Sequence, residues 1–120
     1  MAATGTVSIS GSVTGLSTGS KTIGPLTITS SAAVGQQTDV TLASGDNTIT
    51  VPSTSTAAII VFDATSTTTK KIKGAGGDTG ITVTKTGKFV LHFDTAAVPA
   101  SFIINSSVAD TGKTTSVLFV

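Results

Sequence analysis

Residues 39–62 have the sequence DVTLASGDNTITVPSTSTAAIIVF, and this stretch indicates the kind of fold that the chain adopts. Apolar and hydroxyl residues alternate in residues 39–42 and again in residues 48–51, just before Pro52. A period of two, rather than 3.6, is typical of a strand with one buried face. Because the five residues between the two segments include Gly45, we predict that they form a β-hairpin.

The end of this stretch, residues 57–62, is continuously apolar. Six residues are too few for a typical helix, and consecutive β-branched Ile and Val side chains have restricted χ1 angles that disfavour one. Such a run is typical of a strand that is buried on both faces or lies at the centre of a sandwich. We therefore predict a buried strand here.

The same alternation continues on both sides of this stretch. Within residues 88–94, Phe89, Leu91 and Phe93 fall on one face because successive strand side chains point to opposite faces. No β-α-β pattern is present, and turns follow one another closely. These features predict an all-β chain, an antiparallel β-sandwich or jelly-roll-like domain of about eight to ten short strands with little or no helix. The further predicted strands lie at residues 6–10, 26–29, 67–73, 81–84, 101–105 and 115–120.

The composition argues against most catalytic and binding classes. The chain has no Cys, Trp, Tyr, Arg or Glu, while Ser and Thr together number 40 of its 120 residues. Without Cys there is no disulfide framework and no thiolate metal site. Without an Arg-rich face or aromatic stacking platforms, specific nucleic-acid recognition is not expected. Because the general acids and bases are reduced to Asp, Lys and one His, we expect no enzyme activity and no cofactor.

The hydropathy pattern gives no sign of a membrane or export signal. No apolar run approaches the ~20 residues that a membrane helix needs. The first residues, MAATG, lack the basic and apolar regions of a secretory signal peptide. We expect no membrane contact and no signal peptide.

The chain divides by composition near residue 35. Residues 1–35 are rich in Gly, Ser and Thr and contain no Phe, whereas all five Phe lie at position 62 or later. Residues 36–120 are predicted to be the β-sandwich core. Residues 1–35 are predicted to be either N-terminal strands of that domain or an extended arm that becomes ordered on a neighbour.

The C-terminus is apolar and has no polar tail. It consists of Val117, Leu118, Phe119 and Val120. Chain ends fray unless they are tied down, so we predict that this end is a paired strand in the core or at an interface.

Lys70, Lys71 and Lys73 form the one cluster of charge. Lysines often protect an exposed edge strand against unwanted pairing, and this is the interpretation that we favour. Contact with an acidic protein partner is the alternative, since three lysines neutralise little phosphate. Together with residues 117–120, these lysines are the candidate interface residues.

Two motifs resemble functional sites but have simpler interpretations. Residues 74–80 (GAGGDTG) resemble a phosphate-binding loop, but a strand rather than a helix follows them, so a hairpin loop is predicted. His92 and Asp94 share a strand face and would be two members of a catalytic triad. Nothing marks an oxyanion pocket, so we interpret His92 as a half-buried strand residue or one hydrogen-bonded to Asp94.

The six Asp residues are scattered, mostly in turns, where an Asp side chain bonds to its own backbone two residues on. A Ca²⁺ site needs several converging carboxylates, and no D-x-D-x-D spacing occurs. Asp46 and Asp78 are the only loop candidates for a metal, and we predict no metal site.

The segment from Val40 to Pro52, the strand at 57–62, and residues 80–88 (GITVTKTGK) and 99–104 (PASFII) together resemble small Thr-rich all-β bacteriophage virion proteins. The resemblance covers about residues 38–120 and lies in composition and strand rhythm, so it transfers no functional residue. It implies a non-enzymatic structural subunit assembled in the host cytoplasm and located in the virion.

The leading hypothesis is a capsid decoration, or cement, protein that binds and stabilises the assembled shell. A neck, tail or baseplate component is the alternative within the same class. A carbohydrate- or receptor-binding β-sandwich module is a further alternative, although sugar binding usually uses aromatic platforms that this chain lacks. The expected partners are major capsid or neck and tail proteins and further copies of the chain, since weakly charged surfaces promote association.

Overall fold

The computed structural model describes residues 3–17, 19–32 and 36–120, and these residues form ten strands and no helix. None of the described residues belongs to a helix long and apolar enough to cross a membrane. The strands are β1 (Ala3–Leu16), β2 (Gly19–Ala32), β3 (Gln36–Val40), β4 (Gly45–Thr50), β5 (Ala57–Phe62), β6 (Lys70–Lys73), β7 (Ile81–Val83), β8 (Gly87–His92), β9 (Ser101–Ser106) and β10 (Thr115–Phe119).

Eight of these strands form two four-stranded antiparallel sheets that pack as a sandwich. The first sheet has the order β3-β10-β5-β8, and the second sheet has the order β4-β9-β6-β7. This arrangement of eight strands in two sheets is that of a jelly roll. The predicted all-β sandwich is confirmed.

Almost every connection in the sandwich crosses from one sheet to the other. Among strands that follow one another from β3 to β10, only β6 and β7 pair as a hairpin. The predicted hairpin between residues 39–42 and 48–51 is therefore wrong, because β3 pairs with β10 in the first sheet and β4 pairs with β9 in the second. Leu42, which is only 1% exposed, anchors the crossing segment in the core instead.

The core fills the space between the two sheets. The period of two places Ile60 and Val117 of the first sheet opposite Ile49 and Ile104 of the second, and all four are buried. The apolar run at residues 57–62 is a central strand of the first sheet, as predicted. Phe89, Leu91 and Phe93 pack together against this core, which confirms that they share one face.

The C-terminal strand lies at the centre of the first sheet. β10 pairs with β3 on one side and with β5 on the other. Beyond the strand, the Val120 amide donates to the Ala57 carbonyl at 3.0 Å, and the Ala57 amide donates back to the Val120 carbonyl at 3.0 Å. The prediction that the apolar end is a paired strand in the core is confirmed.

The first two strands form a separate two-stranded sheet, an antiparallel hairpin that we call the N-terminal hairpin. Its register shifts between Ile9 and Gly11, where Ile9 pairs with Leu26 and Gly11 with Ile23. Gly24 and Pro25 therefore both lie opposite the single residue Ser10, and this extra residue in β2 forms a β-bulge. A bulge accommodates Pro25 because proline has no amide hydrogen for the ladder. Residues 33–35 lie outside the described residues.

The lysine-bearing strand β6 is not an edge strand, which corrects the edge-protection interpretation. It lies between β9 and β7, so both of its edges are paired. Residues 74–80 are the predicted hairpin loop, since they join the antiparallel strands β6 and β7. Gly80 ends the loop with φ +78°, and a Cβ there would lie 2.6 Å from Lys73 Cγ, so no other residue fits without distortion.

We expect Ile104→Ala to lower the free energy of unfolding by about 2–5 kcal/mol, because it leaves a cavity between the sheets. The control Ile81→Ala changes a side chain that is 71% exposed and should alter stability by no more than about 0.5 kcal/mol. Denaturant unfolding followed by circular dichroism measures both, since the chain has no Trp or Tyr for fluorescence. Equal losses for the two variants would contradict the assigned core.

Candidate functional site

The most unusual side chain in the sandwich is Lys70, the first residue of β6, which is fully buried. Lys70 and Ile72 lie on the same face of the strand, and Ile72 packs against the core. The Lys70 side chain therefore enters the sandwich, whereas Lys71 and Lys73 lie on the opposite face. A buried ammonium group is costly unless it is paired and hydrogen-bonded.

The counter-ion of Lys70 is Asp110, in the segment that joins β9 to β10. Lys70 Nζ lies 3.3 Å from Asp110 Oδ2, and the Asp110 side chain is only 4% exposed. A backbone hydrogen bond holds the main chain at this residue, because the Asp110 amide donates to the Leu42 carbonyl at 2.8 Å. The pair thus links the second sheet to the chain that enters β10 of the first.

Three buried hydroxyl groups complete this site, which we call the buried lysine cluster (Lys70, Asp110, Ser66, Thr68 and Ser106). Ser66 Oγ lies 2.9 Å from both carboxylate oxygens of Asp110 and accepts a hydrogen bond from Lys70 Nζ at 2.7 Å. Thr68 accepts from Lys70 through both its carbonyl oxygen, at 3.2 Å, and its Oγ1. Ser106 Oγ lies 3.0 Å from Thr68 Oγ1.

An aromatic ring borders the same ammonium group. Lys70 Nζ lies 5.4 Å from the centroid of the Phe62 ring, within the range of a cation–π contact. No buried side-chain nitrogen or oxygen among the described residues lacks a hydrogen-bond partner. The cluster is closed to large molecules because its polar groups are at most 7% exposed, so its reactive groups face one another.

A second ion pair lies on the surface of the second sheet. Lys73 Nζ contacts both carboxylate oxygens of Asp46 at 3.0 Å, and it donates to the Gly76 carbonyl at 2.8 Å. Asn105 Nδ2 donates to Asp46 Oδ1 at 2.6 Å. The Asn105 hydrogen bond, followed by that from Lys73, holds the pKa of Asp46 below its ordinary value of 3.8.

Asp46, which the structure places in strand β4 rather than in a loop, and Asp78 both accept hydrogen bonds from the protein. Asp46 is bound as described above, and Asp78 Oδ2 accepts from the Gly74 amide at 3.1 Å and the Ala75 amide at 2.7 Å. The Asp78 contacts confirm the turn role predicted for it. Within the part of the chain that the structure describes, no group of three or more His or Asp side chains is placed to hold a metal ion.

The structure does not bring His92 and Asp94 together, although a hydrogen bond between them was one of the two predictions. His92 is exposed at the end of β8, and Asp94 Oδ1 accepts from the Ala96 amide at 2.9 Å in its own turn. Since the chain bends into this turn just after the strand, the spacing of two residues does not produce a hydrogen bond. His92 is a strand residue, as predicted, but it is exposed rather than half-buried, and Asp94 bonds within its own turn instead of to His92.

The sandwich buries some of the candidate interface residues and leaves the others partly exposed. Val117, Phe119 and Lys70 are covered by the chain's own core, so these three side chains are not available to a partner. Leu118, Val120, Lys71 and Lys73 keep partial exposure, and for them the interface remains a prediction.

The pairing of Lys70 with Asp110 is not predicted by the sequence pattern. The available signal was the period-two series Ser66, Thr68 and Lys70, which continues to Ile72 on the core-facing side. Nothing in the sequence indicates that Asp110, 44 residues beyond Ser66, closes the cluster.

The chain was also compared with known proteins. No protein-family model, no curated protein and no solved structure matches it. The fold and the contacts of its own residues therefore carry the functional argument.

We expect Lys70→Met and Asp110→Ala each to lower the free energy of unfolding by about 3–5 kcal/mol, since each leaves a buried charge without its partner. The double variant Lys70→Met/Asp110→Ala should lower the free energy of unfolding by clearly less than the two single variants together, because neither charge remains. Denaturant unfolding of all four proteins gives the coupling energy. The comparison pair, Lys73→Met and Asp46→Ala, should show a smaller coupling, because the Asp46 side chain is 33% exposed, although that of Lys73 is only 9% exposed. Strict additivity at the buried pair would contradict the assignment.

The lowered pKa of Asp46 predicts an acid dependence of stability. The folded state favours the carboxylate, so this contribution is present above pH 3.8 and is lost as the pH falls through the lower folded-state pKa. We expect Asn105→Ala to raise the Asp46 midpoint towards 3.8, as measured by NMR titration of the carboxyl carbon. Asp39, whose pKa is lowered by hydrogen bonds from Gln37 and Ser116, is the control and should not shift. An unchanged Asp46 midpoint would rule out the Asn105 contribution.

Proposed function

We propose that this protein is a non-enzymatic structural subunit of a bacteriophage virion, and specifically a capsid decoration protein that binds the assembled shell. The observation that carries the proposal is the N-terminal hairpin. The consecutive side chains from Ser8 to Ser12 are all exposed. Because successive residues point to opposite faces, neither face of β1 is covered there.

A two-stranded sheet of this kind has little stability by itself. An isolated hairpin is marginal in water, and three or more strands or a packed face are needed for independent stability. The strands of the N-terminal hairpin have 14 residues each and pair only with one another among the described residues. Their outer edges present unpaired backbone groups, which favour pairing with another chain. A neighbouring subunit or shell would supply the missing contacts.

The outward face of the first sheet supports the same role. In the strand register Leu118 lies beside Ile59, and Ile59 lies beside Val90. These three side chains are partly exposed and belong neither to the core nor to the residues packed against it. An antiparallel sheet that faces water on one side usually has polar residues there. An apolar row in this position suits a protein–protein contact, and it includes the candidate interface residue Leu118.

Fold and composition are consistent with this proposal. Jelly rolls occur in viral capsid domains and in lectins, although a fold by itself does not determine function. Charged residues make up only 11% of the chain, and weak charge repulsion promotes association. The proposed partners are the major capsid protein and further copies of this chain, which would meet in the host cytoplasm during assembly.

Affinity purification of the tagged full chain from cells that are assembling particles tests the proposal. We expect the chain to copurify with a shell, and imaging of that particle to show many copies arranged with the shell symmetry. A few copies at one vertex would instead identify a neck or tail component. A chain that stays monomeric and binds no shell or tube contradicts a virion role altogether.

Two matched variants test the proposed contact face. We expect Leu118→Ser to weaken particle binding by about tenfold, the effect of losing about 1.4 kcal/mol from an apolar contact. Ile81→Ser is the control, because Ile81 is an exposed apolar residue on the edge strand of the second sheet. Loss of binding with the Ile81 variant and not with the Leu118 variant would place the contact on the other sheet.

A further inference from the structure

The geometry of the buried lysine cluster points to a covalent bond, and we propose that Lys70 and Asp110 condense to form an intramolecular isopeptide cross-link. This inference is independent of the virion role. It rests on a primary amine and a carboxyl group that lie 3.3 Å apart, Nζ to Oδ2, in a site where they are 0% and 4% exposed.

The approach distance suits a reaction between the two groups. Two groups held in contact in a fixed geometry behave as if at very high effective concentration, and Cγ, the atom that Nζ must attack, is bonded directly to Oδ2. The fold fixes both groups, since Lys70 begins a strand paired on both sides and the Asp110 amide is bonded to the Leu42 carbonyl. Neither group therefore has to move far for Nζ to reach Cγ.

The condensation balances without a further reactant. Nζ of Lys70 forms a bond to Cγ of Asp110, and the bond between Cγ and Oδ2 breaks. Oδ2 leaves as water with two of the three ammonium protons, and the third proton stays on the amide nitrogen. The positive and negative charges cancel, so no oxidant, nucleotide or metal is needed.

Ser66 is placed to move the proton that the reaction requires. The amine attacks only when it is neutral, and the carboxyl group loses its oxygen more readily when it is protonated. Ser66 Oγ accepts from Lys70 Nζ at 2.7 Å and lies 2.9 Å from both Asp110 oxygens. Its hydroxyl can therefore take a proton from the amine while it gives its own to the carboxylate.

The product fits the cluster better than the ion pair does. Two buried charges, each costly to keep from water, are replaced by one neutral amide. The remaining N–H has an acceptor in the Thr68 carbonyl or Oγ1, and the remaining Asp110 carbonyl has a donor in Ser66 Oγ. The cross-link would tie β6 of the second sheet to the segment that leads into β10 of the first.

The chain contains its own control for the reaction. Lys73 Nζ lies closer to Asp46, at 3.0 Å from both oxygens, and the Lys73 side chain is only 9% exposed, but the Asp46 side chain is 33% exposed. Water stabilises the Asp46 carboxylate at that site, and among the described residues no hydroxyl group bridges the two side chains. Proximity alone would link both pairs, whereas burial with a proton relay links only Lys70 and Asp110.

Mass spectrometry of the purified full chain under denaturing conditions tests the proposal. We expect a mass lower than that of the sequence by one water, and a branched peptide that joins residues 70 and 110 after proteolysis. Lys73 and Asp46 should be found in unlinked peptides. A chain of full mass overturns the proposal, and so does a lost water that peptide mapping places elsewhere.

Variants distinguish the roles of the two reacting residues, Lys70 and Asp110, from the role of Ser66 in proton transfer. Lys70→Met and Asp110→Ala should each have the full mass of their sequences, even if they fold poorly. Ser66→Ala keeps both reacting groups, so we expect its linked fraction to appear about 100-fold more slowly than that of the unaltered chain when both are followed by mass spectrometry after cell-free synthesis, the typical contribution of a positioned proton-transfer group. Linkage of Ser66→Ala at the rate of the unaltered chain would overturn the relay role, and linkage in Asp110→Ala would overturn the assigned bond.

Discussion

The sandwich depends on one strand, the C-terminal β10, which lies in the middle of the first sheet. β3 pairs only with β10 among the described strands, and β5 pairs with β10 on one side and β8 on the other. Val117 and Phe119 from this strand are buried in the core. The first sheet therefore closes only when the end of the chain has returned to its centre. Because such distant pairings must overcome loop-closure entropy before they yield stabilising contacts, a chain of this topology is expected to fold slowly.

The buried lysine cluster holds the segment of the chain that leads into this same strand. Asp110 lies in the segment that leads into β10, and its backbone amide is bound by the Leu42 carbonyl of the crossing segment after β3. Its side chain reaches Lys70 at the start of β6. One residue thus connects the approach to the central strand of the first sheet with an interior strand of the second. Any arrangement of the sheets that separated the two side chains would leave a buried charge without its partner, so the contact favours this way of joining them.

The sequence predicted which residues form strands better than it predicted which strands pair. Alternation identifies a buried face, and for that reason the central position of Ile60 and the shared face of Phe89 and Leu91 were foreseen. The same alternation says nothing about which sheet a strand joins. Residues 39–42 and 48–51 therefore look like a hairpin although the chain changes sheets at Leu42 between them. The edge prediction for Lys70 failed for a related reason, because a lysine is normally taken to face water and its partner Asp110 is distant in sequence.

The hydroxyl-rich composition explains how the protein can bury polar groups without many charges. A Ser or Thr hydroxyl both donates and accepts on a short side chain, so it loses little rotamer entropy when it is ordered. Ser66 and Thr68 use this property to hold one ammonium group together with its counter-ion Asp110. On the surface the same composition leaves few charges to direct or prevent association. In the proposed assembly, recognition would therefore depend on strand edges and on the apolar row around Leu118. These are features of backbone and shape, which a subunit with only 11% charged residues can still present to a neighbour in a defined register.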